Sequence, residues 1–216
     1  MKNNNNFNTT KNLKVDFKGS LQLKEFYSQA GQDLFVLTAL DGKKNGKFIE
    51  IGAYHPTSLS NTYLLESHFG WDGIMVEIND AYANNCKNGR NSRVICADAT
   101  QLNYDSFFEE LGEIDYISLD IDGIHTLRAL KKLPLNNHKV KVITFEHDLW
   151  QSKDGTYVRS ESRKILNNLG YEIICGDVSN INNIYEDWYV HPDLVNVKTL
   201  KELKCNGKNW NEILFN

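Results

Sequence analysis

From residue 26 onward, short apolar runs alternate with longer stretches whose apolar positions recur at helical spacing. Six runs rich in Ile, Val, Phe and Tyr, at residues 47–51, 73–78, 93–97, 115–120, 140–145 and 171–175, mostly lack polar alternation. A strand buried on both faces reads this way, because neither face meets water. Between them the pattern predicts helices over 58–69, 79–88, 103–111, 124–133 and 158–169, with another over 32–40 ahead of the first strand. Their ends carry suitable punctuation. Ser58 and Asn79 can accept from the free amides of a first turn, and Gly70, Gly89 and Gly170 stop the last turns. A final strand over 186–192 is expected to return beside 171–175.

Strands alternating with helices build a mostly parallel sheet covered on both faces. Right-handed crossovers restrict that sheet to a doubly wound, Rossmann-like α/β topology, here with seven strands. A length of 216 residues suits one domain. The expected organisation is a domain over 25–216 preceded by a polar, basic arm over 1–24. The arm holds five Lys and one Asp, a charge of +4, which leaves −8 for the rest of a chain whose net charge is −4. It is expected to be a solvated tail. The acidic remainder argues against a dedicated nucleic-acid binder. The apolar runs are too short to span a membrane, and the polar opening has no export-signal core. Cys86, Cys96, Cys175 and Cys205 show no Cys-x-x-Cys spacing, so reduced thiols and a cytoplasmic location are the expectation.

In doubly wound sheets ligands bind beyond the carboxyl ends of the strands. Five successive strand ends here carry an acid: Glu50, Glu77, Asp98, Asp120 with Asp122, and Glu146 with Asp148 around His147. Gly52 lets a ligand approach the backbone after the first strand, and Glu77, 25 residues later, suits a ribose diol. The loop after Gly52, Ala53-Tyr54-His55-Pro56-Thr57, lacks the further glycines that hold a pyrophosphate. The acidic Glu50 favours a cationic ligand instead. A nucleoside with a cationic amino-acid end is S-adenosylmethionine.

The segments Tyr27-Ser28-Gln29-Ala30-Gly31-Gln32-Asp33, Phe48-Ile49-Glu50-Ile51-Gly52-Ala53-Tyr54-His55-Pro56, Ser60-Asn61-Thr62-Tyr63-Leu64-Leu65-Glu66 and Gly70-Trp71-Asp72-Gly73-Ile74-Met75-Val76-Glu77 follow one another in order. With Ile117-Ser118-Leu119-Asp120-Ile121-Asp122-Gly123 and Phe145-Glu146-His147, this string resembles the FkbM-type methyltransferases over residues 27–192. The resemblance implies a class I S-adenosylmethionine-dependent methyltransferase fold. It implies that Glu50 and Gly52 face the methionine part, Glu77 the ribose, Asp98 the adenine and Asp120 the region of the methyl. Gln29, Ala53, Tyr54, Ser60, Asn61 and Ala99 complete the implied cofactor set. Where the family carries an acid one residue beyond Asp122-Gly123, this chain has His125.

The resemblance implies O-methylation of a hydroxyl on a sugar, glycan or other small molecule. His147 is the candidate base, with Asp120 and Asp122 beside it, because an imidazole titrates near neutrality. The same three, Asp120, Asp122 and His147, could instead hold a divalent cation, and His147 could equally be structural. Asp120-Ile121-Asp122 also admits a metal-dependent sugar-nucleotide enzyme. A binding module that kept the fold without the chemistry is a further reading.

Overall fold

The computed structural model describes residues 12–181 and 183–216. Strands β1 (Lys47–Ile51), β2 (Asp72–Glu77), β3 (Arg93–Cys96), β4 (Tyr116–Leu119), β5 (Val142–Glu146), β6 (Glu172–Asn180), β7 (Asn183–Val190) and β8 (Cys205–Asn206) form one sheet. Its order is β3-β2-β1-β4-β5-β7-β6-β8. The first five pair in parallel, β7 runs antiparallel to β5 and β6, and β8 joins β6 in parallel. The seven expected strands are present. The eighth is a two-residue edge piece, too short to leave a hydrophobic pattern.

Helices α1 (Gln32–Ala39), α2 (Tyr63–Phe69), α3 (Asp80–Gly89), α4 (Asp105–Leu111), α5 (Gly123–Lys132), α6 (Gly155–Asn168) and α7 (Trp210–Leu214) complete the molecule. Successive strand residues feed opposite cores. Phe48, Met75, Tyr116 and Val142 pack with α1 and α2, while Ile49, Ile74, Ile117 and Ile143 pack with α4, α5 and α6. This double burial is why the strands read as unbroken apolar runs.

The helix expected over 58–69 begins only at Tyr63. Residues 60–62 form a loop because their polar groups are committed to a buried acid. Glu50 accepts from Ser60 Oγ (3.3 Å), Asn61 N–H (3.0 Å) and Thr62 Oγ1 (2.8 Å).

Of the arm expected over 1–24, residues 1–11 lie outside the described residues. Residues 12–24 pack onto the domain. Leu13 bridges Phe215 in antiparallel fashion, Lys14 N–H donates to the Leu214 carbonyl (2.9 Å), and Leu13, Phe17 and Leu23 are buried. Among the described residues, no helix is long and apolar enough to cross a membrane.

Candidate active site

The carboxyl edge of β1 and β2 is shaped by one glycine. Gly52 has a φ of +97°, and a Cβ there would lie 1.8 Å from the Asp120 carbonyl oxygen. Only glycine combines that backbone with so close an approach to the neighbouring strand end. Beyond the turn, Tyr54 N–H donates to Glu77 Oε2 and Asn79 N–H to Oε1, each at 2.8 Å. Glu77 is thus fixed through both oxygens at the last position of β2. A cavity of about 210 Å³ opens beside it, lined by Gly52, Glu77, Asp98, Ala99 and His125, with Val76, Ile78, Ala97 and Ile121 as apolar walls.

Asp98 Oδ1 accepts from the Thr100 N–H (2.8 Å) and hydroxyl (2.7 Å), and these bonds hold its pKa below the usual carboxylate range. Of the remaining implied cofactor residues, Tyr54 stands exposed at a φ of 48°, packed edge-on against Tyr82. Ala53 is buried, and Gln29 is exposed in the bend before α1. A larger cleft of about 1070 Å³ lies at the opposite, amino-terminal strand edge among Lys18, Lys43, Lys44 and Lys141. It contains none of the strand-end acids named above.

Glu50 does not open into the cavity. It is 2% exposed, its oxygens are taken by the 60–62 loop, and Arg90 Nη1 approaches to 3.8 Å. Burial raises its pKa against the opposing pull of Arg90. Asn61 links this loop to the next strand end, its Nδ2 donating to Ser118 Oγ (2.9 Å) and Asp120 Oδ2 (3.4 Å). Its Oδ1 is buried without a hydrogen-bond partner.

Register carries the acids onward across the sheet. Leu119 pairs with Phe145, which sets Asp120 beside Glu146, and Glu146 pairs with Glu186 on the antiparallel β7. Burial, reinforced by Asp120, pushes the Glu146 carboxyl well above the ordinary range, and burial raises Asp120 as well. Each of two adjacent buried carboxyls disfavours ionisation of the other. Glu186 accepts from Gln32 Nε2 (2.9 Å) and Trp188 Nε1 (2.8 Å), and burial raises its pKa to about 8. Sequence reasoning missed Glu186 and Gln32 as parts of this row.

His147 lies elsewhere. Side chains alternate along a strand, so the residue after Glu146 points to the other face. Its ring is fully buried: Nδ1 accepts the Leu149 N–H (3.3 Å), while Nε2 lies 3.6 Å from Asp187 Oδ1 and 3.9 Å from Asp177 Oδ1 without a hydrogen bond of its own. Arg163 spans both aspartates at 2.7 and 2.8 Å, and Arg159 binds Asp177 at 2.5 Å. The expected trio of Asp120, Asp122 and His147 therefore does not assemble. Asp122 instead approaches Glu146 and Asp148, with one oxygen of each within 4.8 Å of the others. Asp122 (φ 62°) and Asp148 (φ 52°) both adopt left-handed backbone here, and Asp148 Oδ2 accepts the Gly123 N–H that opens α5.

No family model matches the chain, and no curated protein matches its sequence. Solved structures do match. A human methyltransferase 10 domain containing protein superposes with a TM-score of 0.51 at 14% identity, over 73% of this chain and 79% of that one. The N-terminal domain of EvdMO1, determined in the presence of SAH and D-fucose, gives 0.50 at 15% identity, over 77% and 83%. The fold is that of class I S-adenosylmethionine-dependent methyltransferases. In a methyltransferase fold the cavity between Gly52, Glu77 and Asp98 occupies the carboxyl-edge crevice where such sheets bind ligands.

Proposed function

We propose that this protein is an S-adenosylmethionine-dependent O-methyltransferase acting on a hydroxyl of a sugar or glycan. The observation that carries the reading is the cavity beside Glu77. Its fixed carboxylate suits a ribose diol, Ile78 and Ile121 offer apolar walls for a purine, and ionised Asp98 can accept from an exocyclic amine. The unpartnered Asn61 Oδ1 beside Asp120 supplies an acceptor for a cationic amino-acid end. The FkbM-type string of motifs and the neighbour determined with D-fucose support the sugar reading.

When bound, the cofactor supplies the electrophilic methyl group. The chain's share is orientation and proton transfer. Asp120 and Glu146 stand side by side at this edge, and a carboxylate of the pair can take the acceptor's hydroxyl proton as its oxygen bonds the methyl carbon and the methyl–sulfur bond breaks. This assigns to the pair the base role expected of His147. A divalent cation would belong at Asp122, Asp148 and Glu146 itself, three carboxylates that converge at this edge. Turnover unaffected by a chelator removes the cation from the proposal.

The test is methyl transfer itself. Incubated with a glycan and sugar pool and isotope-labelled cofactor, the wild type should yield labelled, alkali-stable methyl ethers detected by mass spectrometry. Glu146→Gln should lower the rate by about 10²–10⁴-fold at retained cofactor affinity. Label in amines or carboxyl esters alone would overturn the O-methyl ether assignment.

A further inference from the structure

Two cysteines that look unrelated in sequence meet at the far edge of the sheet. Cys175 of β6 and Cys205 of β8 are register partners on adjacent parallel strands. Adjacent strands run about 4.7–4.9 Å apart, inside the Cα separation of about 4.4–6.8 Å that a disulfide spans. Both are free thiols; Cys175 is buried and Cys205 half-buried. The Cys175 thiol donates to the Leu203 carbonyl (3.4 Å).

The surroundings divide the roles. The neighbouring Cys175, with Lys208 and Lys14 nearby, lowers the pKa of Cys205 against its partial burial. Burial raises that of Cys175. A half-exposed thiol with enhanced thiolate character next to a buried one is the arrangement of an attacking and a resolving cysteine.

Four backbone bonds tie the segment after Cys205 to the rest of the chain: Gly207 N–H to Gly176 O (2.9 Å), Ser179 N–H to Lys208 O (3.0 Å), Lys14 N–H to Leu214 O (2.9 Å) and Asn216 N–H to Asn12 O (2.9 Å). It backs the approach to the site. Leu214 and Trp210 press on Gly31, and Trp210 meets Phe26 edge-on at 5.6 Å. The next residue, Gln32, is the one that binds Glu186.

We propose that Cys175 and Cys205 form a redox-responsive pair whose disulfide fastens the carboxyl-terminal segment, and through it the 26–31 loop, to the sheet. The oxidant class is a low-molecular-weight disulfide such as oxidised glutathione. The Cys205 thiolate attacks one of its sulfurs, forming a mixed disulfide and releasing one thiolate. Cys175, giving up its proton, attacks the Cys205 sulfur and releases the second thiolate. Two protein thiols are oxidised, one small disulfide is reduced to two thiols, and the protons pass to the leaving thiolates.

The reduced full-length protein is incubated with oxidised glutathione and mapped by mass spectrometry without reduction. The expected product has lost two hydrogens and joins the Cys175 and Cys205 peptides. Its melting temperature should rise by about 5–10 °C and return on reduction. Cys175→Ser should stop at a glutathione adduct on Cys205, and Cys205→Ser should show no oxidation-linked rise. The mapping uses the wild type, so it stands even if a variant folds poorly. A stable glutathione adduct in the wild type, a link through Cys86 or Cys96, or no reaction would each overturn the pairing.

Discussion

At the scale of single residues, Gly52 shows how structure changes the reason for a choice without changing the choice. Sequence placed glycine there to spare space for a ligand. The structure places its missing Cβ 1.8 Å from the Asp120 carbonyl oxygen, so any side chain collides with this chain's own backbone. Gly52→Val should therefore cost at least about 3 kcal/mol and fail to give a folded protein, measurable by thermal melting. A stable variant that merely lost cofactor affinity would restore the ligand-space explanation. His147 gives the complementary case. Sealed among Asp177, Asp187 and their arginines, it should behave structurally when changed to Ala. We expect a loss of about 2–4 kcal/mol in stability with turnover per folded molecule nearly unchanged. A stable His147→Ala enzyme with a hundredfold lower turnover would return the base role to the imidazole. The error has a plain origin: strand ends were legible, but which of Glu146 and His147 faces the crevice depends on a one-residue phase that apolar runs do not encode.

Among elements, the parallel strands announced their site residues and the antiparallel one concealed them. Glu50, Glu77, Asp98, Asp120 and Glu146 stand at or just beyond the carboxyl ends of β1 to β5, where a buried run turns polar. β7 travels the other way and brings Glu186 to the same edge from its first half, inside a segment that reads as ordinary hairpin. Glu186 can be tested through pH. Burial raises its pKa in the folded state from 4.5 to about 8. A folded state that keeps its proton longer is favoured at low pH. This contribution is full below the unfolded value and is lost as pH rises through about 8. The melting temperature of the wild type relative to Glu186→Gln should thus fall between about pH 5 and pH 8.5, and a constant difference would show that Glu186 is ionised throughout. The 12–24 segment makes a second element-level case. Its lysines suggested a solvated tail, but Leu13, Phe17 and Leu23 are buried. Deleting residues 1–24 should cost about 4–8 kcal/mol, because the burial of these three side chains against the domain is lost, against almost nothing if the segment is dispensable.

For the whole molecule, alternation of apolar runs with helical stretches was enough to reach a doubly wound sheet, because burial on both faces leaves a pattern that needs no knowledge of contacts. The two-residue β8 and the loop at Ser60, Asn61 and Thr62 escaped that pattern, since edge pairing and side-chain bonds to Glu50 are long-range facts. The central claim concerns the crevice this architecture creates: that the cavity beside Glu77 receives S-adenosylmethionine. Isothermal titration of S-adenosylmethionine into the wild type and into Glu77→Ala tests it most directly, with a melting curve to show that both are folded. The account predicts one site per chain in the wild type and affinity at least about tenfold weaker in Glu77→Ala, the worth of one charge-assisted hydrogen bond. No binding to the folded wild type, or equal affinity in both proteins, would contradict it.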